Sequence, residues 1–212
     1  MKETTKKIYD DLFLDYPVLS CISESIAVAF DLMRETYASG GKLLIGGNGG
    51  SACDSEHIVG ELLKSFKKKR AISDELKSRL DKCGEDGEYL ISKLEGALPA
   101  ISLISHTGLI TAFANDKAWD ATLAQETVGL GRAGDTLVLL STSGNSRNCV
   151  LAAKVATSMG IKTVAFTGKS GGELGRICDA AIAVPECETY RVQELHLPVY
   201  HALCAMLEEE FF

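Results

Sequence analysis

Residues 41–64 read GKLLIGGNGGSACDSEHIVGELLK. Leu43, Leu44 and Ile45 form an unbroken apolar run bounded by glycines, the pattern of a strand buried on both faces of a parallel sheet. Gly46, Gly47, Gly49 and Gly50 end that strand with residues that allow positive φ and close backbone approach, and Ser51 stands where a helix N-cap belongs. Backbone N–H groups at a helix start, together with the macrodipole, favour an anion, so the turn reads either as a phosphate seat or as plain strand-to-helix geometry. It matches neither GxxxxGK(S/T) nor GxGxxG, which sets both nucleotide motifs aside. On the helix that follows, His57 and Glu61 are four residues apart and share a face, as a surface pair or as part of a site.

Upstream, Leu19, Ile22, Ile26, Phe30 and Met33 have helical spacing from Pro17 to the stop at Gly40 and Gly41, an amphipathic helix that packs either on the sheet or on a second copy of the chain. Residues 1–16 are a polar arm or a loosely docked helix. Downstream, the strand, polar turn, helix pattern returns. Residues 99–104 predict a second strand, and a helix through Leu109, Ile110 and Phe113 ends at Asn115 and Asp116, which read as a helix-terminating turn or as site residues. A further helix over 117–129 leads to the apolar strand 136–140, which runs straight into Ser141-Thr142-Ser143-Gly144-Asn145-Ser146 and a helix over 147–159. Hydroxyls at the carboxyl end of a buried parallel strand suit a phosphate. Strands at 162–167 and 180–184 follow, and then a long helix over 189–212.

Gln193, Leu197 and His201 recur every fourth residue along one ridge of that last helix, and Pro198 between them predicts a kink. Alternating strands and helices predict an α/β fold, a three-layer sandwich with a central parallel sheet flanked by helices. The chain reads as one domain over 1–212, with an N-terminal helical arm at about 1–40 and a charged helical insertion at about 67–97, a lid or an oligomer contact.

A chain of 212 residues with 46% apolar content can bury a full core. The net charge of -7 argues against nucleic-acid binding, which needs surplus Lys and Arg. The cluster Lys64, Lys67, Lys68, Lys69 and Arg70 reads as a solvated helix end that could also steer an anion. Seven cysteines, an odd count without CxxC, fit reduced thiols. No signal peptide and no long apolar run is evident, so the expectation is a cytoplasmic protein with no membrane partner.

GGNGGS at 46–51, HIVGE at 57–61, AND at 114–116, STSGNS at 141–146, TGKSGG at 167–172 and RVQELHLPVYH at 191–201 resemble, in order, the motifs of the phosphoheptose isomerases, within the sugar isomerase (SIS) domain family. The resemblance runs from about Pro17 to the C-terminus; the insertion at 67–97 departs from the family pattern. It implies a cytoplasmic homotetramer that interconverts sedoheptulose 7-phosphate and glycero-manno-heptose 7-phosphate for surface glycans. It also implies one zinc per subunit on His57, Glu61, Gln193 and His201. The substrate contacts it implies are Asn48, Gly49, Gly50, Asn115, Asp116, Ser141, Thr142, Ser143 and Ser146, with Glu61 and Gln193 also touching sugar; Ser51, beside the glycines, is grouped with them.

Aldose–ketose exchange through an enediol needs a base and an acid, the roles predicted for Glu61 and His201, with Ser141, Ser143 and Ser146 on the phosphate. Two alternatives remain on the residues alone. One is a non-catalytic SIS-domain regulator, against which the presence of both Glu61 and His201 speaks; the other is an isomerase of a different sugar phosphate.

Overall fold

A computed structural model describes all residues, Met1–Phe212. Five parallel strands form its centre: β1 (Leu43–Gly47), β2 (Ala100–Ser102), β3 (Thr136–Leu140), β4 (Lys162–Thr167) and β5 (Ala180–Ala183), in the order β2-β1-β3-β4-β5. The helices are α1 (Glu3–Asp15), α2 (Ser23–Ala38), α3 (Gly50–Leu63), α4 (Asp74–Leu80), α5 (Glu85–Lys93), α6 (Thr107–Asp116), α7 (Thr122–Leu130), α8 (Arg147–Ser158), α9 (Leu174–Ile177) and α10 (Thr189–Phe211).

Because neighbouring residues of a strand point to opposite faces, each apolar strand feeds two cores. Leu43, Ile45, Val138, Leu140, Val164 and Phe166 pack into one core with side chains of α1, α2, α3 and α10. Leu44, Leu137, Leu139 and Ala165 point the other way, into a second core with α7 and α8. That is why these strands read as continuous apolar runs and not as alternating ones.

The strand order reverses direction at β1, which pairs with β2 on one side and β3 on the other. Ligands of open parallel sheets bind outside the carboxyl ends of the strands at such a switch point. The glycine turn after β1 and the hydroxyl turn after β3 flank it.

The structure sharpens or corrects the sequence expectations in four places. The N-terminal segment is a helix docked along α10, with Leu12 buried and Lys2 bonded to Glu210 and to the Glu209 carbonyl. The helix expected over 117–129 begins only at Thr122, after a 3₁₀ turn at Trp119–Ala121, because Lys117 and Ala118 take non-helical backbone angles. Helix α10 carries Pro198 inside its span, so the missing hydrogen bond does not end the helix. Arg70 is no solvated helix end: its side chain is wholly buried against Glu208. Between them, α4, α5 and the turn that joins them bury only Gly87, so this segment stands on the surface.

Candidate active site

Both polar turns are built by glycine. At the first, Gly49 has φ +54° and serves as the N-cap of α3. Ser51 is therefore not the cap; it lies inside the first turn, buried, its Oγ 3.5 Å from Gln193 Nε2. Gly50 lets Gln193 lie close against the helix start: a Cβ there would stand 2.6 Å from Gln193 Nε2 and push that side chain aside. Asn48 turns sideways, and its amide forms a closed pair with Asn148 at the start of α8, Nδ2 to Oδ1 at 3.0 Å and the reverse bond at 2.8 Å. Its side chain is thus already engaged by protein, which leaves backbone groups as its main offer to a ligand. Gly47, Asn48, Gly49 and Asn148 line a cavity of about 330 Å³ whose far wall includes Ile110 and Trp119.

The second turn holds Ser141 Oγ and Ser146 Oγ 2.8 Å apart, while Ser143 Oγ accepts from the Asn145 backbone N–H. Gly144, at φ +65°, lies so close to the loop after β4 that a Cβ would stand 2.0 Å from the Gly171 carbonyl oxygen. The result is three hydroxyls and a helix N-terminus at the carboxyl end of β3, a seat for an anion.

Two turns along α3, His57 and Glu61 meet α10. His57 Nε2 lies 3.2 Å from Glu61 Oε1, and the rings of His57 and His201 are 5.0 Å apart at near right angles. Tyr200 donates its hydroxyl proton to Asp54 Oδ1 at 3.2 Å, which leaves its oxygen to accept from His57 Nδ1 at 3.1 Å. That tautomer aims the Nε2 lone pair at a carboxylate oxygen, an arrangement that calls for a proton on the imidazole or a cation between the two. His201 Nε2 is buried without any hydrogen-bond partner, and burial, then the neighbouring His57, hold its pKa below the ordinary histidine value. That leaves a ring nitrogen free to meet a substrate or a cation.

His57, Glu61 and His201 are therefore brought together, in donor types that suit zinc. Gln193 is not among them; it stands two turns nearer the start of α10, against Gly50 and Ser51. No group of three or more His, Cys, Asp or Glu side chains is gathered tightly enough to enclose a metal as it stands. The orphaned His201 nitrogen and the lone pair facing Glu61 nonetheless fit a divalent cation in kind. Asn115 and Asp116 remain exposed at the end of α6, Asn115 Nδ2 bonded to Asp116 Oδ1 at 2.9 Å, and no side-chain hydrogen bond joins them to the other candidates.

Several groups here escaped the sequence reading. Asp54 shares a face with His57 and Glu61 by spacing, a signal that was present. Tyr200, Asn148 and the pair His106–Glu126 had none. His106 Nδ1 lies 2.7 Å from Glu126 Oε2 at the carboxyl end of β2, and Glu126 is fully buried with Oε1 unpartnered; burial raises its pKa and the His106 bond lowers it. All seven cysteines are free.

The parallel sheet with glycine and hydroxyl turns at its switch point belongs to a SIS domain, since the SIS domain family matches residues 105–207. The chain is 35% identical over 198 residues to the phosphoheptose isomerase of Akkermansia muciniphila, covering 93% of this chain and 92% of that one. It is 37% identical to that of Clostridium acetobutylicum, over 89% and 84% of the two chains. Among solved structures, the phosphoheptose isomerase of Francisella tularensis superposes with a TM-score of 0.75 at 26% identity, over 99% and 100% of the chains. That of Neisseria gonorrhoeae gives 0.69 at 33% identity, over 87% and 86%. The chain belongs to the phosphoheptose isomerase family.

Proposed function

We infer that the chain is an aldose–ketose isomerase converting sedoheptulose 7-phosphate to D-glycero-D-manno-heptose 7-phosphate, in heptose biosynthesis. The observation that carries this reading is the convergence of Glu61 and His201 on His57, although 140 positions separate them in the chain. Isomerisation moves one proton between adjacent carbons. The Glu61 carboxylate takes the proton from C1 of the ketose, His201 supplies a proton to the C2 carbonyl oxygen, and an enediol results; the reverse transfers at O1 and C2 yield the aldose. A positioned acid or base contributes about 10²- to 10⁴-fold in rate. Ser141, Ser143 and Ser146 hold the phosphate away from the reacting carbons, so that binding of this remote group orients the other end.

His57, Glu61 and His201 would hold a zinc ion, with Gln193 joining by rotation of its side chain. Bound there, zinc would polarise the carbonyl and hold neighbouring hydroxyls on one side. A homotetramer, with sites completed between subunits, accords with α6, whose sequence TGLITAFAND is mostly apolar yet buries no residue, and with the exposed Trp119 and Val128 beside it. No helix is long and apolar enough to cross a membrane, which accords with a cytoplasmic place of work.

The test is ¹H NMR of the protein with sedoheptulose 7-phosphate in D₂O, with and without zinc. Aldoheptose anomeric signals carrying deuterium at C2, lost in Glu61→Gln, are expected. No product and no exchange at any zinc loading would overturn the heptose assignment, and failure with other sugar phosphates as well would leave a binding protein.

A further inference from the structure

A buried ion pair that the isomerisation chemistry does not use joins the loop after α3 to α10. Arg70 and Glu208 are 0% and 1% exposed at their side chains, with Arg70 Nε 2.7 Å from Glu208 Oε1. Each end of the pair does something further. The Arg70 guanidinium donates Nη2 to the carbonyl of Glu61 at 2.9 Å and Nη1 to the carbonyl of Leu62 at 2.6 Å. These are last-turn carbonyls of α3, which have no partner within the helix. The Glu208 carboxylate accepts the backbone N–H of Phe66 at 2.9 Å, of Lys67 at 2.8 Å and of Lys68 at 3.0 Å. The Phe66 ring in turn lies over His201, centroids 5.6 Å apart.

A buried pair of this kind rarely repays its desolvation as stability alone, since apolar residues of similar volume often serve as well. Its geometry has another consequence. Glu61 is on α3 and His201 is on α10, and Glu208 follows His201 by two helical turns on the same face. We propose that Arg70 and Glu208 are positioning residues of the isomerase: Arg70 fixes the end of α3 that carries Glu61, Glu208 fixes the Phe66 loop over His201, and their ion pair sets the two against each other. Resting on the isomerase reading for its consequence in rate, it predicts a defect in the reacting geometry and not in phosphate binding, because the hydroxyl turn after β3 makes no contact with either residue.

The experiment compares the wild type with Arg70→Lys, which keeps the charge but loses the fork to the Glu61 and Leu62 carbonyls, and with the double variant Arg70→Met/Glu208→Gln, which removes both charges and keeps an acceptor for the loop N–H groups. Misplacement of a reacting group by about 1 Å costs on the order of 10²-fold. In both variants kcat is expected to fall about ten- to a hundred-fold with KM for the sugar phosphate within about threefold, even where the double variant melts close to the wild type. A merely structural role would restore kcat along with the melting temperature, and that result would overturn the proposal. A second readout needs no activity: the ring-proton NMR resonances of His201, shifted by the Phe66 and Tyr200 rings, should move in the double variant. If the wild type itself turns over no sugar phosphate, the isomerase reading fails separately, and unmoved His201 resonances would then overturn the positioning of α3 against α10 as well.

Discussion

The turn after β1 and the turn after β3 are one device built twice, a buried strand that stops at glycine and polar residues and restarts as a helix, yet they are finished in different ways. The β3 turn is made almost entirely from its own neighbourhood. Ser141, Ser143 and Ser146 lie within six residues, and the distant contacts that shape the turn all come from one neighbouring stretch, β4 and the loop after it, at Phe166, Gly168 and Gly171–Leu174. The β1 turn is completed from far away: Asn48 is held by Asn148, Gly50 is pressed on Gln193, and the helix it launches finds its chemistry only on meeting Tyr200 and His201. An anion seat needs hydroxyls and N–H groups near one point, which a short segment supplies. Isomerisation needs one group at the carbons and another at their oxygens, and here two distant segments supply them.

Changes at the two turns should therefore separate kcat from KM. Glu61→Gln gives the largest effect, a fall in kcat of about 10²- to 10⁴-fold with KM nearly unchanged, read in the NMR assay; an equal rise in KM would merge the two regions.

The next largest concerns the joint between them. His196 is buried on α10 and its Nε2 is bonded to the Thr167 carbonyl at the end of β4; burial lowers its pKa from 6.5 to about 4, the hydrogen bond opposing. The unfolded chain therefore binds the proton first as pH falls, so stability present above pH 6.5 is lost on the way to about pH 4. At about 1.4 kcal/mol per unit the loss from this group is on the order of 3 kcal/mol. Urea midpoints at pH 7 and pH 5 should differ in the wild type and differ less in His196→Gln, and an identical pH dependence in the variant would remove His196 as the cause.

Gly144→Ala should destabilise by about 1–3 kcal/mol, since a left-handed φ and a collision with backbone coincide there; urea unfolding reads it. A stable Gly144→Ala protein with normal KM would mean that the phosphate turn is less rigid than its contacts require.

Ser146→Ala should raise KM roughly tenfold, the loss of one hydrogen bond to a charged group, and leave kcat alone. Gly50→Ala is the smallest and the sharpest contrast. Its new methyl meets only the mobile end of Gln193, so the melting temperature should hold, while kcat falls about three- to tenfold as Gln193 is displaced.

Much of this was legible in the residues. The apolar runs at 43–45, 136–140 and 162–167 announce buried parallel strands because every side chain there is needed by one core or the other. The hydroxyl turn was legible for the same local reason. The first turn was half legible. Glycines mark it, but Ser51 reads as a cap and is not one, since Gly49 takes the bend and Ser51 is drawn inward. Arg70 reads as solvated because four of the five cations in its cluster carry no clue to a partner 138 residues away. Tyr200 and Asp54, which orient His57, are likewise joined across 146 residues.

What the chain announces on its own, then, is periodicity, strand and helix alternation and every group whose partners lie within a turn, because local backbone geometry decides those. Which imidazole faces which carboxylate, whether a charge is buried and what caps the end of α3 were decided only when α10 folded back across the sheet, for these depend on side chains that no local rule relates.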